Sequence, residues 1–176
     1  MIRKIINKIL NKRQIDIHKL VLTGDLYAVH KRDGKVVKDH GKIAQNVVTD
    51  TGVAFLVDAW QNSVELETMK YHGVGTGAGA ELPANTALNV ECTTQTVPDN
   101  TRATGTLAEG AANIFRTVGT VTFNENAAIT EWGLFSQAAV GGGAMWDRAL
   151  FAAINVIGAS ADSIVFTYDL TVTSGG

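Results

Sequence analysis

The chain has 176 residues, enough for one domain with a substantial core, and its single cysteine excludes both an internal disulfide and a zinc site built from several cysteines. Only 18% of the residues are Asp, Glu, Lys or Arg, against about 25% in ordinary soluble domains. This favours a surface covered by partners, although a water-exposed β surface rich in Thr, Ser and Ala has the same composition.

Charge is distributed very unevenly along the chain. Eleven of the fifteen basic residues fall within the first 42 positions, against four aspartates, which gives this part a net charge of +7. The other four basic and thirteen acidic residues give the remainder −9, and no lysine follows Lys70. Because charge asymmetry steers association rather than fold, we expect the cationic part to dock onto an anionic surface or onto the acidic body of a neighbouring copy.

Residues 1–16 are predicted to form a basic amphipathic arm, because isoleucines recur at helical spacing with basic residues on the other side. A helix of about a dozen residues is marginal in water, so its apolar stripe has to be buried. We expect the arm to dock onto a partner; docking onto its own domain and binding to a membrane surface are the alternatives. The predicted docking residues are Ile2, Arg3, Lys4, Ile5, Ile6, Lys8, Ile9, Lys12 and Arg13.

The sequence favours neither a secretory signal peptide nor a membrane-spanning segment. The apolar stretch at the N-terminus is broken by Asn7 and Lys8, and no small-residue cleavage site follows, which argues against a secretory signal peptide. No apolar run in the sequence approaches the roughly 20 residues needed to cross a bilayer, so we expect no membrane span.

A hairpin and one helix are predicted in the first part of a domain over residues 17–176. Residues 17–42 contain two strand-like runs joined at Asp33-Gly34, a pair suited to the positive φ angles of a tight turn. Residues 50–61 are predicted to form one buried helix with Thr49 or Asp50 as its N-cap. Its predicted buried face carries Val53, Leu56, Val57 and Trp60.

Beyond this helix the apolar period changes from 3.6 to 2, which predicts that residues 68–172 supply the main strands. The strand-like runs are 68–75, 102–107, 114–123, 128–135, 144–156 and 163–172. In the last run, Ile164, Phe166, Tyr168, Leu170 and Val172 alternate with mostly polar residues, so one face belongs to the core. We predict a mainly β fold, a jelly-roll-like antiparallel β-sandwich with an N-terminal amphipathic arm and one buried helix.

The glycine-rich segment 75–80 matches G-x-G-x-x-A after a strand, the pattern of a dinucleotide-binding turn. That site needs a long helix starting at the loop and a following parallel strand, whereas Glu81, Leu82 and Pro83 come next here. The loop also lacks the Lys-Ser/Thr ending of a P-loop. We therefore expect a flexible connection and no cofactor.

The four histidines, His18, His30, His40 and His72, lack the close spacing of metal ligands. With a two-residue turn at Asp33-Gly34, His30 would lie opposite Val37 and His40 opposite Tyr27, on different faces of the hairpin. We predict no metal site.

Catalytic patterns are weak. Ser160 lies in a sequence that fails the nucleophile-elbow pattern, and Cys92 has no evident histidine partner. Glu131, Asp147 and Asp162 could meet in space as glycoside-cleaving carboxylates, but Glu131 and Arg148 on neighbouring strands are more simply a cross-strand ion pair. We expect a protein that is not an enzyme.

A nucleic-acid partner is also not expected, although the basic N-terminal part could contact phosphates. Single-strand binders place aromatic side chains beside their basic residues so that bases can stack on them. Tyr27 is the only aromatic residue before Phe55.

Residues 129–172 carry three motifs, "E-x-G-L-F" at Glu131, "x-D-R-x-x-F" around Asp147 and "S-I-x-F-T-Y-x-L" at Ser163, separated by glycine-rich or small-residue loops. This region resembles the C-terminal β-region of small virion structural proteins of tailed bacteriophages, and segments 46–60 and 70–81 are similar in kind. The resemblance implies a β-sandwich or jelly-roll module that assembles as a homo-oligomer, often a trimer, on the head or in the tail. It carries no catalytic motif and does not include the basic arm.

The leading functional hypothesis is a non-enzymatic capsid decoration or cement protein, assembled in the host cytoplasm and located in the virion. In this hypothesis the protein forms a homo-oligomer, expected to be a trimer, and its arm docks onto the major capsid protein. One alternative is a tail fibre, baseplate or adaptor module. The other is a carbohydrate-binding or glycan-cleaving sandwich that uses Trp60, Trp132 and Trp146 as a sugar platform.

Overall fold

The computed structural model describes residues 20–174, which form two antiparallel sheets and one α-helix. The predicted arm, residues 1–16, and all nine of its predicted docking residues lie outside the described residues. The two-sheet antiparallel fold and the single helix are confirmed. The jelly-roll-like arrangement stays a prediction. No helix within residues 20–174 has the length and apolar character needed to cross a bilayer.

The first sheet has the strand order β2-β1-β11-β8-β5, with β7 also paired to β8, and the second has the order β3-β10-β9-β4-β6. Short 3₁₀ turns cover Leu66–Thr68 and Gly158–Ser160. In chain order, the elements are β1 (Leu20–Arg32), β2 (Lys35–Gln45), β3 (Val47–Val48), α1 (Asp50–Trp60), β4 (Tyr71–Gly75), β5 (Thr96–Val97), β6 (Ala103–Thr104), β7 (Thr106–Ala111), β8 (Ile114–Phe123), β9 (Ala127–Phe135), β10 (Met145–Val156) and β11 (Asp162–Ser174).

The core lies between the two sheets. Strand β11 shows the predicted alternation: Ile164, Phe166, Tyr168 and Leu170 are buried, and Val172 is partly buried. Strand β1 pairs with β11 along its whole length, from Leu20 opposite Ser174 to Arg32 opposite Asp162. The first and last described strands are therefore neighbours, and the described chain begins at one end of the sandwich.

The hairpin of β1 and β2 is confirmed, and its turn residues Asp33 and Gly34 both have positive φ angles, 47° and 74°. The predicted pairing beyond the turn is wrong. His30 lies opposite Lys38 rather than Val37, and Tyr27 lies opposite Lys42 rather than His40. The pairing shifts because β2 has extra residues at β-bulges, which a count from an ideal turn cannot anticipate.

Helix α1 begins as predicted, because the Oγ1 of Thr49 accepts a hydrogen bond of 3.0 Å from the amide of Gly52. The predicted buried face is wrong. Gly52 and Phe55 are the buried residues of the helix, and Leu56 is only partly buried. A Cβ on Gly52 would lie 2.4 Å from the carbonyl oxygen of Trp146, so the glycine lets the helix approach β10 on that side. Three predicted core residues, Val53, Val57 and Trp60, are consequently exposed.

Candidate docking surfaces

Most charges of the C-terminal part are buried. Eight charged residues follow position 102, and the side chains of five of them are shielded from water. The buried five are Glu131, Asp147, Arg148, Asp162 and Asp169. Only Glu109, Arg116 and Glu125 remain on the outside of the described residues 103–174. The sparse charge seen in the sequence is therefore sparser still on the surface.

One consequence is an uncharged face on the outer side of the first sheet, where β1, β11 and β8 lie side by side. Successive residues of a strand point to opposite sides, and the alternate residues of these strands are buried in the core. The register aligns Tyr27, Thr167 and Val118 in one row and Val29, Val165 and Thr120 in the next. We call these six residues the uncharged face.

The uncharged face is bordered by charged residues. Along one side, β2 places Lys42 opposite Tyr27 and Asp39 opposite Val29. At one end, Lys31 occupies the next row of β1. At the other, the guanidinium of Arg116 and the carboxylate of Asp169 form two parallel hydrogen bonds of 2.6 Å each. Because this pair is bidentate, its charges are largely satisfied within the sheet. Between these ends, the three strands β1, β11 and β8 present only β-branched side chains and one tyrosine.

The second candidate surface is an apolar groove at the end of the sandwich where β1 begins. Ten side chains line it, all of them apolar, and its volume is about 240 Å³. We define this docking groove by Leu20, Leu22, Leu56, Trp60, Leu66 and Phe115. Three of them are strongly exposed: Trp60 at 66%, Leu20 at 60% and Leu66 at 40%. Exposed apolar side chains grouped in this way are typical of a binding surface.

The wall of the docking groove that comes from residues 43–69 is acidic. This segment supplies Leu56, Trp60 and Leu66, and it contains four acidic residues but no Lys or Arg. Glu65 and Glu67, on either side of Leu66, are both exposed. The described chain begins at Leu20, which lines the groove, and the predicted arm ends at residue 16, shortly before it in sequence.

The glycine-rich loop is not the flexible connection that the sequence suggested. The carboxylate of Glu131 on β9 accepts hydrogen bonds from the amides of Gly77, Asn89 and Val90, at 3.0, 3.0 and 2.7 Å. Arg148 on β10 donates to the carbonyl oxygens of Gly79 and Ala80 at 2.9 and 3.0 Å. The loop is thus held against the second sheet by side chains from two strands.

Glu131 and Arg148 also form the predicted cross-strand ion pair, with a distance of 2.8 Å between Nη2 and Oε2. Both side chains are completely buried, which the sequence did not reveal. Burial by itself would raise the pKa of Glu131, but the hydrogen bonds from Val90, Arg148 and Asn89 outweigh it and lower that pKa. The carboxylate is therefore kept ionised inside the protein.

The hypothesis that Glu131, Asp147 and Asp162 form a shared glycosidase site is wrong, because all three are fully buried and each has its own partners. Asp162 accepts hydrogen bonds from Arg32 at 2.7 and 3.0 Å and is 2.9 Å from the Nε2 of His30. The contact with Arg32 is the main cause that holds the pKa of Asp162 far below its usual range.

Other candidate groups are also structural. Trp132 and Trp146 lie in the core, as expected for tryptophans of a sandwich, so a platform of three tryptophans does not exist. His72 accepts a hydrogen bond of 3.1 Å from the indole of Trp132, and burial lowers its pKa to about 3. Burial likewise raises the pKa of Cys92 to about 11, which keeps it a neutral thiol. No three His, Cys, Asp or Glu side chains among residues 20–174 lie together as metal ligands would.

No protein-family model matches this chain, and no curated protein is significantly similar to it. The uncharged face and the docking groove are therefore the features on which a functional assignment can be built. Both are apolar or neutral surfaces of the kind that proteins use to bind other proteins.

Proposed function

We propose that this protein is a non-enzymatic structural protein of a tailed-phage virion, and specifically a capsid decoration or cement protein. It self-associates as a homotrimer through the uncharged face, and the predicted arm docks onto the major capsid protein. The observation that carries the proposal is the burial of five of the eight charged residues after position 102, together with two successive rows on β1, β11 and β8 that contain no charged residue. The sequence resemblance of residues 129–172 supplies the virion context.

Self-association is favoured by the physical character of the uncharged face. The central part of a protein interface is depleted in charged residues, and most soluble oligomers are closed assemblies of identical copies. The Val and Thr side chains of the uncharged face are short and β-branched, so ordering them in an interface costs little side-chain entropy.

Docking of the arm onto a capsid shell is energetically reasonable. Burying each isoleucine of the stripe stabilises the complex by about 1.5–3 kcal/mol. Ion pairs of the arm's lysines on a surface contribute only about 0–1 kcal/mol each and mainly set the orientation. Apolar contact would therefore provide most of the affinity, and the basic residues would guide the approach.

The virion assignment predicts where this chain is found. Antibody raised against it, and visualised by electron microscopy on particles of the virus that encodes it, is expected to label the head. Deleting residues 1–13 should remove the protein from those particles while the sandwich stays folded by circular dichroism. Labelling of the tail would replace the decoration assignment by the tail fibre, baseplate or adaptor alternative, and particles without any label would refute a virion function.

The self-association assignment predicts the effect of a charge on the uncharged face. Replacing Thr120 by lysine places like charges in the interface of every copy, and we expect the oligomer to dissociate to monomers in sedimentation velocity. Thr94→Lys is the control, since Thr94 is also exposed but lies in the loop before β5 and is not one of the six residues of the uncharged face. A wild-type protein that sediments as a monomer, or equal behaviour of the two variants, would count against the uncharged face as the interface.

A further inference from the structure

We propose that the docking groove binds the isoleucine stripe of the arm of the same molecule, and so holds the arm until a partner competes for it. The stripe consists of Ile2, Ile5, Ile6 and Ile9. Binding of the arm in the groove is inferred from the described groove residues and from the sequence of the arm. The competition with a capsid partner rests on the proposed function.

The shape and chemistry of the docking groove fit a row of aliphatic side chains better than a small molecule. Its volume of about 240 Å³ lies below the roughly 300–1,000 Å³ of small-molecule sites, and its lining is almost entirely apolar, so it offers little to orient a small polar ligand. An open groove walled by leucine and aromatic side chains instead fits a row of aliphatic side chains. An amphipathic helix that lays its apolar face into a groove presents such a row at positions i, i+3, i+4 and i+7.

The arm and one wall of the docking groove carry charges of opposite sign. Segment 1–13 carries five basic residues and no acidic one, whereas segment 43–69, which forms one wall of the docking groove, carries four acidic residues and no basic one. Glu65 and Glu67 are exposed beside the groove residue Leu66; Lys70, which follows, is the nearest basic residue in sequence. The arm and this wall are thus complementary in both apolar pattern and charge sign. The same acidic residues would repel an anionic membrane surface.

The chain between the isoleucine stripe and the docking groove is long enough for the stripe to reach the groove. Ten residues, 10–19, lie between Ile9 at the end of the stripe and Leu20, which itself lines the docking groove. An extended chain of that length spans up to about 35 Å, enough to return the stripe to the groove. Because the arm is tethered beside its binding site, its effective concentration is in the millimolar range. The arm of the same molecule therefore has the advantage over the arm of a second copy.

Tryptophan emission of the full chain tests binding in the groove, since Trp60 is exposed while Trp132 and Trp146 are buried. Ile6→Asp should release the arm, shift the emission to longer wavelength and increase quenching by acrylamide. Asn7→Asp is the matched control, because it adds the same charge off the stripe, and it should leave the emission closer to the wild type. Equal spectra for wild type and Ile6→Asp would overturn the proposal.

Cross-linking identifies the source of the arm. In a background of Cys92→Ala, the pair Ile5→Cys and Leu66→Cys should form a disulfide within one chain on mild oxidation. The control pair Ile5→Cys and Val97→Cys should react more slowly, since Val97 is exposed near the opposite end of β8. Mainly dimeric products on a non-reducing gel would overturn binding within the same molecule, and equal rates for both pairs would overturn the groove as the site.

Competition with the partner is tested separately on purified virus particles. Leu66→Asp weakens the docking groove without changing the arm, so the apparent affinity for particles stripped of the protein should rise, by up to one plus the ratio of bound to free arm in the wild type. Unchanged affinity would overturn the holding role. If deletion of residues 1–13 leaves particle binding intact while Ile6→Asp still shifts the Trp60 emission, the capsid-docking role of the arm fails and the groove inference stands.

Discussion

Replacing Glu131 by alanine is expected to lower the free energy of unfolding by about 3–5 kcal/mol, the usual cost of removing one partner from a buried ion pair. The substitution leaves the guanidinium of Arg148 without a counter-charge at a site that is completely buried. It also removes the acceptor of three loop amides, those of Gly77, Asn89 and Val90. The loss therefore combines an uncompensated charge with buried donors that have no partner.

Urea unfolding of the wild type and Glu131→Ala measures this loss, and Glu125→Ala is the matched control because Glu125 is exposed. The control should stay within about 0.5 kcal/mol of the wild type. Hydrogen exchange adds a local readout: the amides of Gly77, Asn89 and Val90 should lose protection in Glu131→Ala. Equal stability of the two variants would show that the ion pair does not hold the glycine-rich loop.

The strands and the fold class could be predicted because period-2 patterning is a local property of the chain. Each of the six predicted runs contains strand residues, from β4 to β11, and Asp33-Gly34 forms the predicted hairpin turn. The short strands β3 and β5 have two residues each and were missed. Two residues carry no periodicity, so the pairing of such strands is decided by tertiary contacts alone.

The burial of Glu131 and Arg148 could not be predicted in the same way. A strand with a polar side is expected to turn that side to water, but residues 77–90 fold over this part of the second sheet and cover it. Long-range loop contacts of this kind have no period. The glycines were the available signal: a Cβ on Gly77 would lie 2.4 Å from a carboxylate oxygen of Glu131, so only glycine permits the approach.

The docking groove was missed for a related reason. Apolar spacing predicted that Val53, Leu56, Val57 and Trp60 face the core, on the assumption that the most apolar side of a helix is the buried side. The close contact of Gly52 with β10 turns a different side inward. The apolar side that remains outside supplies Trp60 to the groove. The side of helix α1 that the spacing wrongly predicted to be buried therefore belongs to the surface that a partner segment can cover.

The second large effect is expected from Asp147, whose substitution by asparagine should remove a dependence of stability on pH. Burial raises the pKa of Asp147 to about 7, against the opposing effect of the 2.7 Å hydrogen bond from the hydroxyl of Tyr168. Gly24 packs so closely that an added Cβ would clash with this carboxylate. Inside the folded protein the carboxyl group therefore keeps its proton up to near neutral pH.

The direction of the pH dependence follows from comparing the pKa of Asp147 in the folded and unfolded states. The folded pKa is raised, so this group's contribution to stability is fully present below about pH 4 and is lost as the pH rises through about 7. A shift from the ordinary value of 3.8 to about 7 corresponds to about 4 kcal/mol. Asp147→Asn cannot ionise, yet its amide oxygen can still accept the hydrogen bond from Tyr168, so this loss should be absent.

Chemical denaturation at a series of pH values from 4 to 8 measures the effect as the difference between the two proteins. Groups with lowered pKa values, such as Glu131 and Asp162, add an opposite trend at acidic pH in both proteins, and the difference cancels that trend. The stability of Asp147→Asn relative to the wild type should rise with pH, whereas that of the exposed control Asp99→Asn should stay level. A level difference for Asp147→Asn would mean that Asp147 is already ionised in the core at acidic pH, held by Tyr168 and the backbone amide of Arg148 in spite of its burial.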